Sequence, residues 1–325
     1  HRIETYQIVA GEEASYKTYG HPIFKIDTII SNEGTITSID TTFRPGGSQG
    51  FPGFQPGNEL KESRSNFGSY IDLELDLTKK FTVSAAGRFE QYNDFGNSLN
   101  GKLASRYKIS DDFSLRGSVS SGFRAPSLAQ LHFNTTFTDI IAGQAIDKLI
   151  AKNNSPITRA LGIPALKQEV SLNAGLGFTT KVNNLTFTVD AYYVQIKDRI
   201  VLTGAFFNDD AIIGEELNKL NIGAAQFFTN AVNTTSKGAD AIISYSTKFS
   251  GHQNLKFSVA ANFNNMVIDK IYTNQKLQVK ETTYFGLREQ YFLLASAPKS
   301  KFNFGIDYSS ENFFANIRLK RLVEV

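Results

Sequence analysis

Apolar and polar residues alternate one by one through stretch after stretch of this chain, and few helical segments are present to cover the apolar side. From Ser69 to Leu77, Ile71, Leu73, Leu75 and Leu77 fall on one parity and Asp72, Glu74 and Asp76 on the other. After a turn at Thr78-Lys79-Lys80, Phe81, Val83, Ala85, Gly87 and Phe89 oppose Thr82, Ser84, Ala86, Arg88 and Glu90. Leu103, Tyr107 and Ile109 then oppose Asn100, Lys102, Arg106 and Lys108. Beyond Ser110-Asp111-Asp112, Phe113, Leu115, Gly117 and Val119 oppose Ser114, Arg116, Ser118 and Ser120. A period of two is the strand period. An apolar face that recurs without a protein layer to cover it predicts lipid as its neighbour.

The pattern continues in pairs: Val170 to Phe178 with Leu185 to Tyr193, Ala239 to Tyr245 with Leu255 to Phe263, and Phe302 to Tyr308 with Phe313 to Leu319. His1 to Glu12 reads as the last part of a further strand. Connections alternate in length. They are short at Lys79, Asp111, Asn183, Gly251 and Ser310, and mostly long between, which is the asymmetry of outer-membrane barrels with short periplasmic turns and long extracellular loops. Aromatic residues sit near the short turns (Phe81, Tyr107, Phe113, Phe178, Tyr245, Tyr308), where an interfacial girdle belongs. A soluble β-sandwich or β-helix fits less well, because strands this long with loops on one rim are uncommon there.

The first long connection holds a turn at Asn32-Glu33-Gly34 and the run Arg44 to Asn58, whose Pro45, Pro52 and Pro56 predict a loop. The second runs from Leu131 to about Leu166, where the spacing of Ile141, Ala145 and Leu149 predicts a short surface helix. The third covers Gly204 to Phe228, with Asp209-Asp210 as a candidate cap for a helix carrying Ile213, Leu217 and Leu220.

Composition removes other classes. The net charge of +3 and pI near 8.8 come from scattered basic residues, so no nucleic-acid partner is expected. With no cysteine there is neither a disulfide framework nor a thiolate site. The four histidines, His1, His21, His132 and His252, are far apart, so no metal centre is expected, and no cofactor. No serine adjoins a base in sequence, and no enzymatic role is expected. No apolar run is long enough for a transmembrane helix. The chain shows no initiator Met or signal peptide, and its strands number about eleven. An odd, open set leaves two edges with unsatisfied backbone groups, which predicts a piece of a larger barrel continued at both ends.

Ser121-Gly122-Phe123-Arg124-Ala125-Pro126-Ser127-Leu128 resembles the strand-to-loop signature of TonB-dependent outer-membrane receptors. Lys167-Gln168-Glu169 with Ser171 and Asn173, Leu185 through Leu202, and Asn230 to Asp240 are similar to later segments of the same family, in order. Arg318 to Val325 resembles its Arg-Phe-Gly-Glu-Val segment, from which Leu322-Val323 departs. The resemblance implies an up-and-down transmembrane barrel of about 22 strands in the bacterial outer membrane, of which this chain is a part. It also implies an N-terminal plug outside this sequence, and import of a scarce solute (siderophore, cobalamin, glycan or similar) with energy from the inner-membrane TonB complex. A passive porin is the alternative, and a barrel enzyme the more remote one.

The alternation directs Asp72, Glu74, Asp76, Arg88, Glu90, Lys102, Arg106, Arg116, Glu169, Asp190, Asp240 and Lys256 into the lumen. For solute recognition the candidates lie on the long loops. Arg44, Phe51, Phe54 and Gln55 combine a cation, two aromatic faces and an amide on a Gly/Pro scaffold. Arg124, His132 and Phe133 stand at the start of the second loop, where Arg124 and Pro126 equally serve to fix the strand exit.

Overall fold

A computed structural model describes residues 2–9, 24–30, 36–43, 54, 58–141, 143–249 and 253–323. In chain order the elements are β1 (Arg2–Ile8), β2 (Phe24–Ile30), β3 (Ile36–Phe43), β4 (Leu60–Thr78), β5 (Phe81–Tyr92), β6 (Gly96–Lys108) and β7 (Phe113–Arg124). There follow α1 (Leu128–His132), β8 (Thr135–Ile141), β9 (Gln144–Ala151), α2 (Pro156–Ala160), β10 (Glu169–Val182), β11 (Leu185–Leu202), β12 (Phe206–Phe207) and α3 (Gly214–Lys219). Last come β13 (Ala224–Lys248), β14 (Asn254–Ile271), a 3-10 turn (Gln278–Lys280), α4 (Glu281–Tyr284), α5 (Leu287–Leu294), β15 (Ser300–Ser309) and β16 (Phe314–Val323).

Eleven strands form one antiparallel meander in the order β1-β4-β5-β6-β7-β10-β11-β13-β14-β15-β16, ending at β1 and β16 among the described residues. Its register keeps each parity on one face. Ile71, Gly87 and Gly101 line up on one side, and Asp72, Ala86, Lys102 and Ser120 on the other. All the lumen-directed charges inferred from the alternation share the second face. On the first, Ile71, Leu73, Leu75 and Leu77 are each more than half exposed, which suits a surface that meets lipid and not water. β16 pairs regularly through Lys301↔Leu322, so Leu322-Val323 does not interrupt it. Rings stack or meet edge-on beside the short turns, with Phe81 and Tyr107 at 6.1 Å and Phe113 and Phe178 at 5.7 Å. The turn around Gly251-His252 and the Asn32-Glu33-Gly34 turn lie outside the described residues.

Glycines on the lumen face make slots for long side chains. Arg116, Gly177 and Asp190 are cross-strand neighbours on β7, β10 and β11. Arg116 reaches over the glycine, placing Nε 2.9 Å from Asp190 Oδ1 and Nη2 2.5 Å from Oδ2, while Nη1 donates to Thr179 Oγ1 at 2.7 Å. A Cβ on Gly177 would lie 2.0 Å from Asp190 Oδ1 and 2.6 Å from the Val189 carbonyl oxygen, so no other residue permits this pairing. Tyr192 crosses Gly238 in the same way to donate to Asn264 Oδ1 at 3.0 Å.

The strands are longer than the alternation alone predicts. β4 begins at Leu60 and not near Ser69, and β13 runs for 25 residues against the few that alternate cleanly. A membrane crossing needs only about 9–11 residues. Above it the outward face has no reason to be apolar, so the pattern fades while the ladder continues. There the β13 extension is buried, with Ala224, Ala225, Phe227 and Ala231 at zero exposure.

Around this extension the long connections fold into a cap with its own core. β9 joins β13 in parallel, Lys148↔Ala224 to Ala151↔Phe227, and β8 adds to β9. The helix predicted over Ile141, Ala145 and Leu149 is therefore absent; these positions lie on the β8–β9 hairpin, which turns at Gly143 with φ 81°. Phe206 stacks on Phe227 at 5.6 Å, and Ile157, Leu161, Ile213, Leu217 and Leu277 complete a core of fully buried side chains. Each stabilises the cap by roughly 1.5–3 kcal/mol relative to exposure. Polar ties join its loops. Asn274 Nδ2 donates to the carbonyls of Leu161 and Gly162 at 2.8 and 3.0 Å, and Lys276 Nζ to that of Ala160 at 2.8 Å. The α3 helix follows the predicted cap region. Asp210 Oδ1 accepts from the backbone of Ile212 and Ile213, one turn ahead of the helix, and Asp209 takes no part in these bonds.

Burial pushes the Asp210 carboxyl up, but the Lys280 ammonium it binds and the two backbone N–H groups outweigh burial and hold it below the ordinary aspartate value of 3.8. A depressed carboxylate contributes stability that is complete above its unfolded value and lost as pH falls through the folded one. Protease resistance of the cap is expected to stay flat from neutral pH to about pH 5 and to fall below about pH 4. A Lys280→Met variant, which strands a mostly buried carboxylate, should lower that resistance at neutral pH by the equivalent of about 1–3 kcal/mol. Gly177→Val should expel Asp190 from Arg116 and lower the urea midpoint of the barrel wall, at a cost of about 1–3 kcal/mol; an unchanged midpoint would refute the slot.

Candidate functional site

The extracellular end of the lumen wall holds a recess of about 880 Å³. β1, β4, β5, β6 and β7 present Arg2, Arg64, Tyr70, Arg88, Tyr92, Asn100 and Arg124 to it, all from the polar parity. Glu90, 4% exposed, anchors the floor. Its Oε2 accepts from the Tyr92 hydroxyl at 2.7 Å and Asn66 Nδ2 at 3.1 Å, and its Oε1 from Arg88 Nε at 2.5 Å. Arg64, 3% exposed, donates from Nε to Asp94 Oδ2 at 2.7 Å. Its guanidinium lies 5.2 Å from the Phe95 ring centre and 5.7 Å from that of Tyr92. Such a cation survives burial because a carboxylate and two π faces replace its water.

Charge in the recess is balanced, with Arg2, Arg64, Arg88 and Arg124 facing Glu4, Glu90, Asp94 and Glu169. Hydroxyl, amide and aromatic groups supply its remaining chemistry. That inventory suits a large polar solute with ring or oxyanion features. Among the described residues no group of three His, Asp or Glu side chains is arranged to hold a metal ion.

The seven residues singled out from the sequence divide three ways. Arg44, Phe51 and Gln55 lie outside the described residues. Arg124 lines the recess, but its fork is engaged by Glu169, Nε to Oε2 at 3.0 Å and Nη2 to Oε1 at 2.5 Å, as a residue fixing the strand exit does. Phe54, His132 and Phe133 come together at α1. Ser127 begins that helix with a capping box, its Oγ accepting from the Gln130 backbone while the Gln130 side chain accepts from the Ser127 N–H. At the other end Phe133 meets Phe54 edge-on at 6.3 Å, His132 Nδ1 stands 3.8 Å from Glu62 Oε1, and Asn58 Nδ2 donates to the Asn134 carbonyl at 2.8 Å.

α1 therefore docks by β4, three strands to one side of β7. The next residue, Thr135, pairs with Ile150, which neighbours Gln226 of β13, three strands to the other side. Residues 125–151 stretch across the rim and tie its two flanks together. Arg64, Asp94 and Tyr92 were not singled out from the sequence. Arg64 lies where polar residues occupy both parities and Asp94 in a turn, so only the pairing of β4 with β5 brings them together.

Comparison with known proteins agrees with this architecture. The sequence profile described as TonB dependent receptor-like, beta-barrel matches residues 12–322. The iron-regulated outer membrane virulence protein of Vibrio cholerae is 23% identical over 139 residues, 42% of this chain and 19% of the relative. The vitamin B12 transporter BtuB of Vibrio vulnificus is 24% identical over 140 residues, 43% of this chain and 18% of that protein. Among solved structures, the siderophore receptor PirA of Pseudomonas aeruginosa superposes with a TM-score of 0.54 at 13% identity, covering 80% of this chain and 40% of that one. The ferric enterobactin receptor PfeA of the same organism gives 0.51 at 14% identity, covering 82% and 34%. The chain thus spans less than half the length of the relatives it matches. Alternating strands, short turns on one rim, a polar lumen face and a profile match over most of its length establish that this chain belongs to the β-barrel domain of the TonB-dependent receptors, a family of receptors and transporters of the bacterial outer membrane.

Proposed function

We propose that this chain forms part of the barrel wall of a receptor that captures a scarce solute outside the cell and imports it with energy from the inner-membrane TonB complex. The observation that carries the reading is the lumen face. It is polar from β4 to β16, floored by small residues such as Ser84, Ala104, Ser118 and Gly175, and walled by the charges of Lys102, Arg106, Arg116 and Asp190. A floor of small side chains lets a folded partner approach the backbone closely, while Lys102 and Arg106, outside the Arg116–Asp190 pair, offer it ion pairs. An N-terminal plug of the same polypeptide fits that role, with further barrel strands before β1 and after β16 and lipid against the outer face. Among the similar proteins, PfeA is a receptor of ferric enterobactin and BtuB a transporter of vitamin B12; a large polar solute of that kind matches the chemistry of the recess.

Solute contact is assigned to the recess and to the loop residues Arg44, Phe51, Phe54 and Gln55. Uptake by the full-length receptor of labelled ferric enterobactin or vitamin B12 should stop when the proton-motive force is dissipated or the TonB protein is deleted. Uptake that continues unchanged would make the barrel a passive pore. A Phe51→Ala, Phe54→Ala double variant should weaken solute binding by roughly tenfold while leaving the folded barrel in the membrane; unaltered affinity would remove those two rings from the site.

A further inference from the structure

Two of the sequence segments that resemble the family, Ser121 to Leu128 and Lys167 to Glu169, meet each other in space. Arg124 closes β7 and Glu169 opens β10, directly across the ladder, although they are 45 residues apart in the chain. Glu169 is 5% exposed, and its Oε1 holds a further donor, the Ile200 backbone N–H at 2.7 Å. The pairing of β10 with β11 ends at Val170↔Lys197, so this N–H lies beyond that ladder, next to the stretch Ile196 to Ile200 where β11 bulges against β13 with Asp198 at φ 55°. One carboxylate thus serves three strands: it pinches the base of the second long loop and holds an N–H of β11 beyond the end of the β10–β11 ladder. Beyond the bulge, Ile200 and Val201 are buried, and Val201 enters the cap core.

We infer that Glu169 is a positioning residue that holds the cap in register with the solute recess, acting through Arg124 on the recess side and through Ile200 on the cap side. This rests on reading the recess as the place of solute capture. Glu169 touches no solute itself. Its effect is to fix the angle at which β11 leaves the wall and hence where the strap of residues 125–151 lies across the rim. Arg199 stands beside the pair with Nη1 on Thr234 Oγ1 at 3.2 Å, and Lys167 binds Asp198 at 2.9 Å, so the charged groups facing this junction are Arg124, Glu169, Lys167, Asp198 and Arg199.

The test uses the full-length receptor in outer-membrane vesicles, with Glu169→Ala, Glu169→Gln and Arg124→Lys variants. Chymotrypsin cleavage at Phe206 and Phe227, both wholly buried in the cap, reads cap opening without any solute. The heat-modifiable gel shift reads the barrel. In Glu169→Ala the cleavage rate should rise roughly tenfold or more with the gel shift retained. Glu169→Gln should fall between, since its amide oxygen still accepts from Ile200 but forms no charged fork with Arg124. Arg124→Lys should retain most of the protection, because one charged bond and the Ile200 bond persist. Ferric enterobactin and vitamin B12 serve as binding probes: weaker affinity per folded barrel with an undiminished maximal uptake rate supports the positioning role. Unchanged cleavage in Glu169→Ala overturns it, as does a loss confined to the number of folded barrels. If neither probe binds the unmodified receptor, the solute reading fails for those two compounds, and the protease result alone decides whether Glu169 sets the cap.

Discussion

Within lipid every backbone N–H and C=O must find a partner in the protein, and the rest of this structure depends on that demand. Each central strand of the meander spends both edges on its neighbours, so the backbone has nothing left to offer and recognition passes to side chains. One parity is committed to hydrocarbon. The other, facing the lumen, is free to carry charge, but its side chains stand on a pleated surface with neighbours about 5 Å away. Glycine relieves that crowding. Gly177 lets Arg116 grip Asp190 two strands away, and Gly238 does the same for Tyr192 and Asn264. The lumen wall is therefore cross-linked in the direction of its ladders without losing a single backbone bond.

Above the membrane the demand changes character. Water satisfies exposed backbone groups, so the strands need not stop together, and β4, β11 and β13 run on to different heights. What the extensions gain is a second face to bury. β13 emerges from the barrel wall and becomes the centre of a small hydrophobic core, flanked by β9 and overlain by residues from three separate connections. Loops on an outer-membrane barrel built this way form a shaped surface whose parts are coupled through Phe206, Phe227, Leu217 and Leu277. A solute that engages one of them engages a common core.

The wall was legible in the sequence because alternation is imposed by lipid on one side and water on the other, residue by residue. Register follows from it, since a slip of one position would turn Ile71, Leu73 and Leu75 into the lumen. The cap was not legible for the complementary reason. The spacing of Ile141, Ala145 and Leu149 by fours suits a helix, yet Ala145 and Leu149 also share one parity of a strand, β9, while Ile141 belongs to β8 across the turn. Gly143, at φ 81° in the middle of that span, was the signal for a hairpin. Where the outward face ceases to be apolar, as in Lys61 to Asn66, a strand leaves no periodic mark, and the beginning of β4 went unread. Arg124 and Glu169 were each visible inside a recognisable segment. Their pairing was not, because it depends on β7 and β10 being neighbours across a long excursion.

The recess itself shows why single residues chosen from a sequence are poor guides to a binding site. Arg124 stands out as a cation at a strand exit, but its fork faces Glu169 at 2.5 and 3.0 Å, and a guanidinium spent in this way contributes shape more than charge. Arg64 is spent on Asp94 in the same manner, and Arg88 gives its Nε to Glu90. With its charges matched inside the wall, the recess exerts little net pull on an ion at a distance. If the recess is the place of capture, as proposed, discrimination rests on how Asn100 and the outer nitrogens of Arg88 are presented. Glu90 fixes Arg88 and Tyr92, and Ser98 Oγ accepts from Asn100 Nδ2 at 2.9 Å, so buried groups beneath the lining set how it is presented.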